Sequence, residues 1–474
     1  MTRLFLLLAA LLLATATPAH AAPRDVDGYV RAFLDRTGLP GAAVAITHGD
    51  DVVRVAGYGH DAAGRPLTAS SRLPIASLSK SMTAFALLQL TEAGRIGLDE
   101  PVTRYLPGFR LADPRGTRIT VRMLLDQTSG MADSAFPDLK LPQPHTLAEA
   151  VTRLRDAPLA SEPGTEFHYH NPNYEVAARI VEVVAGQPFA EYLKAKLFTP
   201  LGMTASTTVD TPPAGTEGYV RAFGIEVPVS EPDWFTGGSH GVLSTAEDLA
   251  RWLRAQQDGG GVLSPASVRQ AHTPAPGRDY ALGWRVRDGR TSHTGELFTH
   301  TAAQVLLPGG YGVAVLANTG MALDNDAELL AQDLASLLEG GTPEPARSAG
   351  VVADWVLGAL ALVAVGLAIL GVRRARRKPR WWRIGPPLLP LLPLVFLPQL
   401  LGWVFAGRRG TYGQVLYVWP GLVAALGVAA LAGLTVTVAR ARALASGTRG
   451  RDREESDETR GDAQWASANR RSGS

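Results

Sequence analysis

The last quarter of the chain most constrains what it can fold into, because three apolar runs there offer water almost no polar surface. They occupy residues 351–372, 384–406 and 412–439. A helix needs about 20 such residues to cross a hydrocarbon layer, so each run is expected to be a transmembrane helix. Asp354 lies at the outer edge of the first run, and the other two contain no charge. The second holds Pro386, Pro387, Pro390, Pro393 and Pro398, and is therefore expected to be kinked or partly re-entrant. The loop 373–380 is strongly basic, whereas 407–411 has only Arg408 and Arg409. The positive-inside tendency puts the first loop and the tail, 440–474, in the cytoplasm. That tail is charged, interspersed with Gly and Ser, and is expected to be disordered. The bilayer is thus the first expected partner.

At the other end, Arg3 precedes an apolar stretch at 4–13, and Ala19-His20-Ala21 supplies small residues for cleavage. This reads as a signal peptide, 1–22, with a retained anchor as the alternative; either one exports the chain beyond it. Residues 341–350 form a Pro/Gly/Ala-rich linker, leaving 23–340 as one large extracytoplasmic domain on a multi-pass cell-membrane protein. Charge divides along the same line. Residues 23–350 carry 28 basic and 37 acidic groups, and those from 351 onward carry 17 and 7. A domain with net charge −9 is a poor nucleic-acid binder, so no nucleic-acid partner is expected. Cysteine is absent, which removes disulfides and thiolate metal sites.

Within 23–340 the hydrophobic pattern changes period in a definite order. A helix is expected over 26–37, then strands at 41–46 and 52–57 around a His48-Gly49-Asp50 turn. Helices follow at about 75–95, 147–156, after Pro172, and at 246–256. Strands are expected at 280–286, 291–295, 301–307 and 311–318, and a last helix at 326–339. Strands at both ends with helices between them predict an α+β fold, an antiparallel sheet flanked by helices.

One helix entry carries chemistry. Pro74-Ile75-Ala76-Ser77-Leu78-Ser79-Lys80 opens a segment whose Leu78, Met82, Phe85 and Leu88 recur at helical spacing. Ser77 and Lys80 lie one turn apart on the same side, bringing an ammonium within reach of a hydroxyl. A serine becomes a useful nucleophile only when a neighbour takes its proton, and a lysine with a depressed pKa can do so. The chain has only five lysines, and no other has a serine three residues before it. Arginine would serve for surface charge and never deprotonates, so lysine here points to chemistry.

Further along, Tyr169-His170-Asn171 falls in an aromatic and polar loop ahead of a helix. His168 and His170 lack an accompanying carboxylate cluster, so no metal or other cofactor is expected. Residues 237–245 form a glycine-rich loop capping the next helix, without the lysine and preceding strand of a phosphate-binding loop. His293-Thr294-Gly295 lies on an expected strand.

Ser77/Lys80, Tyr169/Asn171 and His293/Thr294/Gly295, in that order, resemble the serine β-lactamase and penicillin-binding-protein superfamily, on the class C β-lactamase and D-alanyl-D-alanine carboxypeptidase branch. Residues 124–130 and 241–249, and the strand ending Leu316-Ala317-Asn318, also resemble stretches common there. The resemblance implies an all-helical subdomain beside the sheet. It implies that Ser77 is acylated, that Lys80 and Tyr169 move its proton, and that Asn171 binds the substrate amide and holds Lys80. Which of Lys80 and Tyr169 is the base stays open. The implied oxyanion donors are the N–H groups of Ser77 and Glu296. His293 stands where many lactamases have lysine; with an ordinary pKa near ~6.5 it would give weak, pH-sensitive binding of a substrate carboxylate. The implied substrates are cell-wall peptides ending in D-alanine, with esters or β-lactams as alternatives. A non-catalytic cell-wall sensor is the alternative from another class.

Overall fold

The computed structural model describes residues 25–320, 323–344, 348–375, 381–404 and 410–469, in two compact units. The larger unit runs to Ser348 apart from Arg221–Ile225; the smaller comprises Arg221–Ile225 and the chain from Ala349. The expected signal peptide lies outside the described residues, as do 376–380 of the basic loop.

In the larger unit, Asp25 caps helix α1 (Val26–Thr37), which ends at Gly38 in the left-handed region. Strands β1 (Gly41–His48) and β2 (Asp51–Gly59) follow as the expected hairpin. The short strand β3 (Leu73–Pro74) leads into a 3-10 turn at Ala76–Leu78 and then helix α2 (Ser79–Glu92). Helices α3 (Val121–Leu125), α4 (Leu147–Thr152), α5 (Asn171–Ala185) and α6 (Phe189–Leu193) make up the helical part. Strands β4 (Thr207–Thr208), β5 (Glu217–Ala222), β6 (Ile225–Ser230) and β7 (Val242–Ser244) precede helices α7 (Ala246–Asp258) and α8 (Pro265–Ala271). The chain then lays down β8 (Arg285–Arg287), β9 (Arg290–Glu296), β10 (Thr301–Leu306) and β11 (Tyr311–Ala317), and closes with α9 (Asp326–Leu338).

The main sheet has the order β2-β1-β11-β10-β9-β8, with antiparallel neighbours throughout. Its central strands alternate between two cores, as a period-2 chain must. Val44, Ile46, Val313 and Val315 pack with Phe33 of α1 and with Leu330 and Leu334 of α9. Ala43, Ala45, Ala302 and Ala314 face the opposite core, with Phe85 of α2 and Trp252 of α7. Small side chains on that face let α7 lie close to β1 and β11. Helix α2 packs against α5, α6 and α8 and is buried on every side from Ser79 to Leu88, rather than along the single apolar stripe that its periodicity predicts.

The larger unit departs from expectation in two places, and the first has a local cause. The strand expected over 280–286 is reduced to β8, because Gly283, at φ +80°, turns the chain against the backbone of Lys80 and Ser81. The β5–β6 hairpin and α8 were not expected from the hydrophobic pattern.

Among the described residues, two helices of the smaller unit are long and apolar enough to cross a membrane: Ala349–Ala375 and Pro420–Ser446. The second expected span is not one helix, since its prolines divide it into a turn at Pro386–Leu388 and helices Leu391–Val395 and Leu397–Val404. The third is interrupted at Trp419, between Tyr412–Val418 and Pro420–Asn469. The tail expected to be disordered continues that helix to Asn469. No proline occurs between 421 and 469, so nothing in the backbone forces the helix to stop at the end of the apolar run.

Helix α2 depends on Phe85, fully buried and edge-on to Trp252 with ring centroids 4.7 Å apart. The substitution Phe85→Ala should cost about 3–5 kcal/mol, read as a lower denaturant midpoint with the cooperativity retained.

Candidate active site

Ser77 occupies the middle of the 3-10 turn ahead of α2, two residues before the helix proper. The preceding residue, Ala76, has φ +49°, a left-handed conformation that a non-glycine residue adopts at a cost of about 1–3 kcal/mol. Three hydroxyls on α2 fix the turn and its surroundings. Ser79 Oγ donates to Ala76 O at 2.6 Å and accepts from Val242 N at 3.1 Å. Ser81 Oγ donates to Leu78 O at 2.7 Å, and Thr83 Oγ1 donates to Gly238 O, also at 2.7 Å.

Lys80 is wholly buried. Its Nζ donates to Ser77 Oγ, Asn171 Oδ1 and the Ser239 carbonyl, each at 2.9 Å. Three acceptors match the three N–H groups of an ammonium. The Tyr169 ring lies beside it, its centroid 5.0 Å from Lys80 Nζ and 6.0 Å from the His293 ring. Asn171 opens α5. The loop leading to it is clamped by Gln127, whose Oε1 accepts from His170 N at 3.0 Å and Asn173 Nδ2 at 2.6 Å. Ser129 Oγ completes the clamp by donating to Asn173 Oδ1 at 2.6 Å.

His293, Thr294, Gly295 and Glu296 form the end of β9. A Cβ on Gly295 would stand 2.5 Å from Ile75 O and 3.0 Å from Ala76 Cβ, so only glycine lets β9 lie against the Ser77 turn. The structure therefore gathers Ser77, Lys80, Tyr169, Asn171 and the His293–Glu296 segment in one place, although the three motifs are far apart in the chain.

The expected behaviour of His293 needs correction. Its Nδ1 lies 2.6 Å from Thr294 O, and its Nε2 lies 3.0 Å from the Tyr280 hydroxyl. With Nδ1–H donating to the carbonyl, Nε2 accepts from Tyr280, which occupies both nitrogens of a neutral ring. Burial, reinforced by the Lys80 charge, pushes its pKa down to about 3. A ring held neutral in this way is not the pH-sensitive cation expected to bind a carboxylate.

Residues outside the sequence motifs complete the site. The Ser239 carbonyl holds Lys80 from the glycine-rich loop, a backbone role that no side-chain pattern announces. Tyr280, fully buried, carries the hydrogen bond to His293 and stands edge-on to Tyr169 with ring centroids 6.1 Å apart. Arg285 places its guanidinium 6.0 Å from the Tyr280 ring centre and shares Asp279 with Arg287. Two guanidiniums on one carboxylate leave this corner with a net positive charge. His168 and His170 turn to different partners, Ser161 Oγ at 3.2 Å and Phe136 O at 3.1 Å.

An antiparallel sheet packed on a helical layer, with a serine and a buried lysine one turn apart at their junction, defines the class of the serine β-lactamases and penicillin-binding proteins. A model of the Beta-lactamase family matches residues 26–338, and the chain belongs to that family. Penicillin-binding protein 4 of Amycolatopsis lactamdurans is 30% identical over 339 residues, covering 65% of this chain and 88% of that protein. Protein flp of Staphylococcus aureus (strain N315) is 28% identical over 322 residues. That match covers 62% of this chain and 63% of flp, so the chain spans less than two thirds of that relative's length. Among solved structures, the octameric penicillin-binding protein homologue from Pyrococcus abyssi superposes with a TM-score of 0.59 at 27% identity. It covers 67% of this chain and 78% of its own.

The neutral histidines have a measurable consequence. His293 is held at about 3 and His272, buried near Trp284, at about 4, against 6.5 for a free ring. Between those values and 6.5 the unfolded chain binds protons that the folded chain does not, so each histidine lowers stability as pH falls below 6.5. At pH 5 the loss is about 2 kcal/mol per ring. Buried Asp126 and Glu175, whose carboxyl pKa values are pushed up by burial, act in the opposite direction. The readout is therefore the difference between variant and parent: His272→Gln should flatten the fall in urea midpoint between pH 7 and 5.

Proposed function

We propose that this protein is a serine hydrolase that works through an acyl-enzyme on Ser77, outside the cell, tethered by its C-terminal apolar helices. The observation that carries the reading is the 2.9 Å contact from Lys80 Nζ to Ser77 Oγ, with two further acceptors fixing the amine. A neutral Lys80 donating to Asn171 Oδ1 and Ser239 O keeps its lone pair towards the serine proton. A charged one has a third acceptor ready in Ser77 Oγ. Both states suit the same geometry, as a group that takes and returns a proton requires.

In this reading Ser77 Oγ attacks the substrate carbonyl while its proton passes to Lys80, directly or through Tyr169. The N–H groups of Ser77 and Glu296 receive the developing oxyanion, each worth about 3–4 kcal/mol. The proton then goes to the leaving group, and water releases the acyl group by the reverse route. Asn171 orients the substrate amide, and Thr294 and Gly295 line the strand edge beside it.

The substrate we favour is a cell-wall peptide ending in D-alanine, supported by the penicillin-binding proteins among the relatives and by Arg285. With His293 neutral, that guanidinium is the group we assign to a substrate carboxylate. The neutral histidine also favours a second reading, an esterase whose substrates carry no carboxylate. β-Lactams are further candidates. The C-terminal helices Ala349–Ala375 and Pro420–Ser446 support anchoring in a bilayer.

Mass spectrometry of the full chain with a D-Ala-D-Ala peptide, a simple ester and a β-lactam should show an adduct on Ser77. The variants Ser77→Ala and Lys80→Arg should each lose at least about 10³-fold in turnover. Arg285→Gln should raise KM for the peptide about 10-fold and leave the ester unchanged. Turnover that survives Ser77→Ala would overturn the acyl-enzyme. Equal effects of Arg285→Gln on peptide and ester would overturn the carboxylate assignment.

A further inference from the structure

Glu231 lies in the segment between β6 and the glycine-rich loop, remote in sequence from every catalytic motif, and its side chain is fully buried. Its carboxylate accepts from Phe298 N at 3.0 Å and from Thr299 N at 2.8 Å. Thr299 Oγ1 donates to it as well, and His300 Nδ1 lies 3.6 Å away. Phe298 and Thr299 are the two central residues of the turn joining β9 to β10, which Leu297 N closes by donating to His300 O at 2.9 Å. Their successive N–H groups form a concave anion site, and the Glu231 side chain fills it.

That turn begins one residue after Glu296, which pairs with Thr301 across the hairpin. The segment that carries Glu231 also reaches the other half of the site. Trp234 packs on the Phe298 ring, with centroids 5.3 Å apart, and on the His240 ring, with centroids 4.6 Å apart. Ser239, next to His240, supplies the carbonyl that holds Lys80. One stretch of chain thus braces both the turn behind Glu296 and the loop behind Lys80.

The geometry points to Glu231 as a positioning residue that sets the Glu296 N–H of the oxyanion site through the β9–β10 turn. The inference rests on the acyl-enzyme reading above. Glu231 touches neither substrate nor Ser77; it acts by locking two N–H groups whose release would let the turn, and Glu296 with it, drift. An error of about 1 Å in such a donor is enough for a roughly 10²-fold loss.

The test uses the full chain in detergent, with p-nitrophenyl acetate as substrate and phenylboronic acid as probe. When Ser77 Oγ bonds to boron and its proton leaves, a tetrahedral anion forms whose oxygen needs the oxyanion donors. In Glu231→Gln, which replaces one acceptor oxygen by an NH2 facing N–H groups, kcat should fall about 10²-fold while KM stays within about twofold. Affinity for phenylboronic acid should fall in parallel. Thr299→Val keeps the carboxylate and both N–H groups and should show the same pattern, smaller. It decides the matter if Glu231→Gln does not fold. Unchanged kcat and boronate affinity in a folded variant, or a rise in KM with kcat intact, would overturn the role of Glu231. Hydrolysis and boronate binding that persist in Ser77→Ala would instead overturn the acyl-enzyme reading itself.

Discussion

One buried amine, that of Lys80, sets the terms for everything around it. Lys80 has no exposed surface, and a lysine removed from water must find acceptors for all three N–H groups or lose its charge. The acceptors come from three separate places: the 3-10 turn, the start of α5 and the glycine-rich loop. Each must be delivered within hydrogen-bond distance of one nitrogen. The helical layer, the sheet and the loop before β7 are tied to one another through that requirement.

The same requirement explains where the backbone is unusual. Ala76 holds a left-handed φ so that Ser77 can leave the helix axis and meet the lysine. Gly295 lacks a side chain so that β9 can press on the turn from the other side. The hydroxyls of Ser79, Ser81 and Thr83 spend their hydrogen bonds on backbone carbonyls and keep the entry of α2 rigid. Strain at one residue is stable here because its neighbours over-determine it.

Around this centre the aromatic groups govern charge by excluding water. Tyr169, Tyr280 and His293 lie against one another beside Lys80. Within that wall a second cation is unfavourable, so His293 stays neutral and a hydrogen bond to Tyr280 takes the place of its charge. Positive charge stands where the wall meets solvent, at Arg285 and Arg287 around Asp279.

Much of this is legible in the amino-acid order. The hairpin at Gly49-Asp50, α1, α7 and α9 follow from apolar periodicity and capping, both local effects that a short window contains. Ser77 and Lys80 can be paired because a helical turn sets their spacing, and the resemblance supplies Tyr169, Asn171 and the His293–Glu296 segment. The hidden part involves chain far from the motif concerned. The Ser239 carbonyl and the Glu231 carboxylate act on groups more than a hundred and about seventy residues away in sequence order, respectively. The neutral state of His293 cannot be read from its motif, because a pKa depends on burial and on the Lys80 charge, neither of which is written in His-Thr-Gly. The prolines after Gly385 mark a broken span, but only the folded chain shows it as separate short helices. By itself, then, the sequence determined most of the larger unit's elements and the one-turn spacing of Ser77 and Lys80, because periodicity and helical spacing act at short range. The tertiary structure alone decided which distant groups satisfy that pair and which charges survive beside it, because desolvation and hydrogen bonding depend on which groups pack together in space.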